Sequence, residues 1–249
     1  MRRVDAARTF WINDDCLLRL HGNSKRPRGD PYNQPEDGPD MEFRLTYNGP
    51  LYSTQGDPPQ HQQDKRAGHK HILRTAFHKQ LKRLWEITPY LRNEEGIAHL
   101  RTIHQIGGAG GEPHTIQRLS AKHALFGFNF VPLVTYDMDL LCGLEILFLR
   151  PDKPGHVMWA GDLDNRIKTL IDALRIPKAN ERYDQMVQAA DEKPFFCLLE
   201  EDELVTKLAV ESDQLLQFES PDTMDEVRLV ITVRIRAYQM HMGNLEFGT

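Results

Sequence analysis

Residues 125–149 read LFGFNFVPLVTYDMDLLCGLEILFL, and this largely apolar stretch decides the class of the chain. Aromatic and β-branched residues on either side of an acidic interruption at Asp137–Asp139 predict two strands joined by a turn. Arg150-Pro-Asp-Lys-Pro-Gly155 closes the second strand. Downstream, Ile167, Leu170, Ile171 and Leu174 recur at helical spacing over Asp164–Ile176, and Pro177 ends that helix. Upstream, Met41–Tyr47 alternates apolar with polar residues and stops at Asn48-Gly-Pro50, as a half-buried strand does. Between them, His69–Leu91 carries Ile72, Phe77, Leu81, Leu84 and Trp85 beside many cations, which predicts a basic amphipathic helix. Leu204–Val210 and the alternating Glu226–Ala237 predict two further strands. The order β, α, β, β, α, β, β implies an α+β domain with a mixed β-sheet and packed helices.

The 249 residues suffice for one large domain, and 40% hydrophobic with 27% charged residues is ordinary globular composition. No apolar run approaches the roughly 18–20 residues of a membrane span, and the first twenty residues lack the apolar stretch of a secretory signal. Cys16, Cys142 and Cys197 are widely spaced and odd in number, which argues against a disulfide framework or a zinc ribbon and for a reducing cytoplasm. We expect an N-terminal extension over 1–40, loop-rich at its end, a main domain over 41–240 and a short tail over 241–249. Residues 54–68 and the run Gly107–Gly111 read as loops; the latter lacks the Gly-Lys-Ser/Thr of a P-loop.

Net charge is −5 but unevenly spread: residues 61–123 hold 11 Lys+Arg against 5 Asp+Glu, and residues 124–249 hold 12 against 22. A basic segment beside an acidic one suits a polyanion held near a metal-binding carboxylate cluster, or simply two solvated faces. Lys65, Arg66, Lys70, Arg74, Lys82 and Arg83 are the candidates for nucleic-acid backbone contacts, which supply affinity without sequence information. His61, His69, His71 and His78 do not form a metal set, because His at i and i+2 do not share a helix face. Trp159 is a rim or core aromatic that could also stack on a base.

The chemistry concentrates in Gly161-Asp-Leu-Asp-Asn-Arg-Ile-Lys168. Asp162 and Asp164 stand at a helix start, with Lys168 one turn beyond Asp164 and Asp172 one turn further. Such carboxylates can hold Mg²⁺, which takes oxygen ligands and keeps waters for a phosphate substrate, or they can be plain helix caps. A second acidic run, Glu200-Glu-Asp-Glu203, precedes a strand, and four like charges in a row need a cation or solvent to relieve them. A rival reading is a phosphatase with a D-x-D nucleophile, and the context argues against it, because the apolar strand ends at Leu149, well short of Asp162.

The sequence of these elements resembles the RusA family of Holliday junction resolvases of bacteria and their phages. The resemblance rests on Asp162-Leu-Asp-Asn-x-x-Lys168, Ile171-Asp-Ala-Leu174, Glu201-Asp202-x-x-Val205, the final alternating strand and the early strand ending in Asn48-Gly-Pro50, and it spans roughly 41–240. It implies a homodimeric endonuclease that uses Mg²⁺, or Mn²⁺ in its place, to nick four-way DNA junctions symmetrically, nucleoid-associated in the cytoplasm. Carried over, Asp162, Asp164 and Asp202 are the metal ligands, Glu201 is the acidic neighbour of the third, and Lys168 is the catalytic lysine. The alternatives are a non-catalytic nucleic-acid-binding or scaffolding protein with the same fold, and a nuclease of that fold acting on flaps, forks or RNA.

Overall fold

The computed structural model describes residues 41–52, 59–92, 116–151, 162–182, 187–216, 225–241, 244 and 247, except the side chains of 59–64, 92 and 162. The expected extension at 1–40, the Gly107–Gly111 run and Trp159 lie outside the described residues.

The two apolar blocks of 125–149 form strands, but in different sheets. β1 (Met41–Pro50), β4 (Leu140–Arg150), β6 (Val205–Gln214) and β7 (Glu226–Ala237) make a four-stranded sheet in the order β1-β7-β4-β6. β7 runs antiparallel to both β1 and β4, whereas β4 and β6 are parallel, so the sheet is mixed. β2 (Ala124–Leu125), β3 (Phe128–Val134) and β5 (Phe195–Leu199) make a smaller sheet in the order β2-β3-β5. The β2–β3 connection is Phe126-Gly127, both at positive φ (56° and 83°), the backbone a two-residue hairpin turn requires. Between β3 and β4 a 3₁₀ turn at Tyr136–Met138 supplies the break expected at Asp137–Asp139.

The alternation in β1 and β7 works as the sequence predicts, and β4 alternates in burial although its sequence is apolar nearly throughout. Phe43 and Leu45 on β1, Leu144, Ile146 and Phe148 on β4 and Leu229, Ile231 and Val233 on β7 are all buried on one face. The opposite face is polar, with Arg234 paired to both Glu42 and Glu145, and Lys207 to Glu145. The buried face packs on α1 (Pro59–Ile87), whose inward residues are Leu73, Phe77, Leu81, Leu84 and Trp85.

α1 is longer than the sequence predicts. It starts at Pro59, a residue whose fixed φ and missing N–H suit a first turn, so residues 59–68 are helix rather than loop. It ends before Pro89, which disfavours helical geometry at Thr88; α2 (Pro89–Arg92) follows. The apolar stripe also differs by one position: Ile72 is 61% exposed and Leu73 takes its place in the core. α3 (Ile116–Lys122) and β5 were not expected. β5 reads FFCLL and is buried on both faces, so it shows no alternation to betray it.

Candidate functional site

The acidic motif opens α4 (Asp162–Leu174), which follows β4 in the chain and leads to β5; β6, parallel to β4, comes after β5. Leu163, Ile167, Leu170 and Leu174 are buried on its inner face. That stripe leaves Asp164 and Lys168 exposed on the outer side, one turn apart and so with Cβ atoms about 5–6 Å from one another. Neither makes an ion pair among the described residues. Asp164 lies in the first turn, where the helix dipole favours negative charge. Arg166, on the buried side of the same turn, reaches Asp225 at 3.0 Å, immediately before β7. The first turn of α4 is thus anchored where β7 begins, opposite the end of β4 (Leu149 faces Arg228).

The other end of α4 is a buried ion network. Asp172 accepts from Lys70 at 2.6 Å and from Arg175 at 2.8 Å. Glu181 accepts from Arg74 at 2.6 Å, Lys70 at 2.8 Å and Arg175 at 3.0 Å. Arg74 also donates to the carbonyls of Asp172 (2.8 Å) and Arg175 (3.3 Å). Its side chain is fully buried, and that of Glu181 is only 10% exposed. Burial works against the Glu181 charge, but Arg74, Lys70 and Arg175 outweigh it and push its pKa down to about 2. The network welds α1 to α4 and to the turn at 178–181.

Lys70 and Arg74 therefore do not lie on the solvated face where the sequence puts DNA-contacting cations. The helix rotation that exposes Ile72 turns both inward to Asp172 and Glu181, and their charges are already matched. Lys65, Arg66 and Arg83 are exposed. Lys82 is half-buried and donates to the Asp191 carbonyl at 2.9 Å, and Arg83 pairs with Glu86 at 3.3 Å.

The second acidic run lies just past β5. Each of its four carboxylates has a partner in the chain. Glu200 accepts from the Tyr136 amide at 3.0 Å and lies 3.5 Å from Lys122; Glu203 accepts from the Tyr136 hydroxyl at 3.2 Å. Glu201 lies 3.7 Å from Lys178, and Asp202 lies 3.4 Å from Lys178 and 3.7 Å from Arg175. Burial raises the Asp202 pKa, but its backbone amide, Lys178 and Arg175 more than offset this and hold it below the ordinary carboxylate value. The crowding of like charge is thus relieved by the protein's own cations.

Asp202 and Asp164 are not brought together within one chain. Asp202 touches Arg175, eleven residues beyond Asp164, about 16 Å along the helix axis at 1.5 Å per residue. The sheet gives the same answer: Val205 pairs with Cys142 near the start of β4, whereas α4 begins beyond the end of β4 at Arg150. Among the described residues no three or more His, Cys, Asp or Glu side chains form a group able to hold a metal ion. The histidines also part company. His69 accepts from the Tyr52 amide at 3.3 Å, His78 accepts from the Phe196 amide at 2.8 Å, and His71 packs against Phe128 and Phe195.

No helix among the described residues is long and apolar enough to cross a membrane. Comparison with protein-family models, curated proteins and solved structures returned no match.

Proposed function

We propose that the chain is a Mg²⁺-dependent endonuclease of the RusA type, acting as a homodimer on branched DNA. The observation that carries this reading is the exposure of Asp164 and Lys168 one turn apart on α4, neither of them in an ion pair among the described residues. Hard oxygen donors suit Mg²⁺, and an exposed carboxylate that no side chain pairs with among the described residues retains capacity for one. Asp164 would be a ligand of the ion from α4, with Asp162 the second ligand that the resemblance adds. When bound, Mg²⁺ neutralises phosphodiester charge and lowers the pKa of a water it carries. Lys168 places an ammonium a turn away, within reach of the phosphoryl oxygens on which charge develops. Lys65, Arg66, Lys82 and Arg83 supply backbone contacts along the DNA arms. A four-way junction has two-fold symmetry, so two symmetric nicks call for two copies of the site.

A second reading is a non-catalytic DNA-binding or scaffolding protein. It is favoured by the engagement of Glu201 and Asp202 with Lys178 and Arg175, which leaves the third carboxylate away from the first two within one chain. Cleavage of a labelled four-way junction beside a matching linear duplex, with Mg²⁺ and with EDTA, separates the two. The wild type should make paired symmetric nicks in the junction only, and Asp164→Asn should bind the junction without cutting it. A variant that cuts at the wild-type rate would remove Asp164 from the site, and binding without cutting by the wild type would favour the scaffold.

A further inference from the structure

The large sheet has two edges, and the chain treats them differently. At β1 the side chain of Gln80 closes the edge: it accepts from the Thr46 amide at 2.9 Å and donates to the Thr46 carbonyl at 2.7 Å. At β6 no described strand or side chain covers the outer backbone. Among the described residues, β6 is also the one long strand of this sheet with no cover on its inward face. Leu208 and Val210 lie opposite Leu144 and Ile146, which are buried, yet they are 46% and 37% exposed. An open edge that carries exposed aliphatic residues is a template for another strand.

We infer that β6 pairs antiparallel with β6 of a second copy, about a two-fold axis at Ala209, joining two four-stranded sheets into one. The occupant follows from the strand's own chemistry. The register of β6 shifts at Thr206, and the regular part of the strand begins at Lys207. With Ala209 on the axis, Lys207 faces the partner's Glu211 and Leu208 faces the partner's Val210, each pair formed twice. Opposite charges and aliphatic side chains are cross-strand pairs that stabilise a ladder. Neighbouring registers match less well. An axis at Leu208 sets Lys207 against the partner's Ala209, and an axis at Val210 keeps a charge pair between Lys207 and the partner's Asp213 but sets Leu208 against the partner's Ser212. Lys207 already leans on Glu145 at 3.2 Å, and Glu211 makes no ion pair among the described residues, so each end of the strand has a charge to offer. A same-register pairing also keeps both buried faces on one side, which lets Leu208 and Val210 of both copies form one continuous apolar strip.

This surface names the partner in the homodimer read above and rests on that reading for its role, but it needs neither DNA nor metal. Antiparallel pairing turns the partner's β6 end for end. The partner's Glu201 and the partner's Asp202, which precede its β6, then come to the end of the joined sheet where β4 finishes and α4 begins. The carboxylates that one chain keeps apart are thereby set at a common end by two chains.

The test is made on the full chain, with Cys16→Ser to remove a cysteine outside the buried pair Cys142 and Cys197. Ala209→Cys should cross-link to itself under mild oxidation, because an on-axis residue brings two Cα atoms within disulfide range. Lys207→Cys should not cross-link to itself but should do so when mixed with Glu211→Cys. Sedimentation should show a wild-type dimer, about tenfold weaker association for Lys207→Glu, and recovery in Lys207→Glu/Glu211→Lys, since reversing both charges restores the pair. A monomeric wild type, equal self-cross-linking at 207 and 209, or a double variant no better than the single one would overturn the inference. A dimer that passes these tests but cuts no DNA would instead overturn the nuclease reading alone.

Discussion

Glu181 offers the sharpest test of how this chain is held together. Its carboxylate sits between Lys70, Arg74 and Arg175 with little solvent, and its pKa is pushed from 4.5 to about 2. A depressed carboxylate pKa stabilises the fold above the unfolded value, and that stabilisation is lost as pH falls toward the folded value. The gap of roughly 2.5 units, at about 1.4 kcal/mol each, makes about 3 kcal/mol available at pH 7. The same linkage leaves about half of it near pH 3, between the two pKa values. Glu181→Gln keeps the size of the side chain and removes the charge. Urea denaturation of wild type and variant from pH 7 down to pH 3 should show the variant less stable by about 3 kcal/mol at neutrality, with the difference narrowing by about half at the acid end. The loss at neutrality also includes leaving Arg74 buried and undermatched, which can enlarge it. A difference that stays constant with pH, or one below about 1 kcal/mol at pH 7, would refute the claim that paired charge, rather than packing at 178–181, locks α1 to α4.

His78 should behave in the same sense. Burial lowers its pKa, and its neutral Nδ1 accepts the Phe196 amide, so its contribution is present above about pH 6.5 and falls as pH drops below it; His78→Ala should cost about 3 kcal/mol in thermal or urea melts through a cavity and an orphaned amide. Junction binding should weaken steeply with salt, and Lys65→Ala/Arg66→Ala should lower the log–log slope by up to about two, whereas Lys70→Ala should instead lower stability. Mixing Asp164→Asn with Asp202→Asn should restore cleavage if carboxylates from two copies share a site, because half of the mixed dimer's sites are then intact; failure to restore it assigns each site to a single chain.

Much of the fold was legible because most of the large sheet has one wet face. β1 and β7 alternate in sequence as they alternate in burial, and α4 shows its stripe in Ile167, Leu170 and Leu174. The failures have local causes. β5 is short and apolar throughout, so nothing in Phe195–Leu199 separates a buried parallel strand from any other apolar run. The start of α1 is polar on every side and is held by no periodic signal. The rotation of α1 depended on choosing between the adjacent Ile72 and Leu73, and that choice decided whether Lys70 and Arg74 faced solvent or Glu181. In the site, the exposed Asp164 and Lys168 follow directly from the helical stripe. The separation of Asp202 from them does not, because motif spacing along a chain says nothing about which end of a strand the chain has reached.

That separation is a consequence of topology. When two parallel strands are joined by a helix, the helix starts at the end of the first strand and returns the chain to the start of the second. Here the return runs through β5: Asp162 and Asp164 lie at the start of α4, whereas Asp202 follows β5 and lies beside Arg175, just past the other end of α4. Arg175 and Lys178 then hold Asp202 at its own end, and Arg166 holds the start of α4 at the other through Asp225. Only an operation that reverses strand direction can bring such ends together without dismantling the sheet. An antiparallel partner at the open edge of β6 performs that reversal, whereas a partner bound at β1 would meet an edge already closed by Gln80. The edge that the described residues leave open is thus the one from which a second copy could complete the carboxylate set.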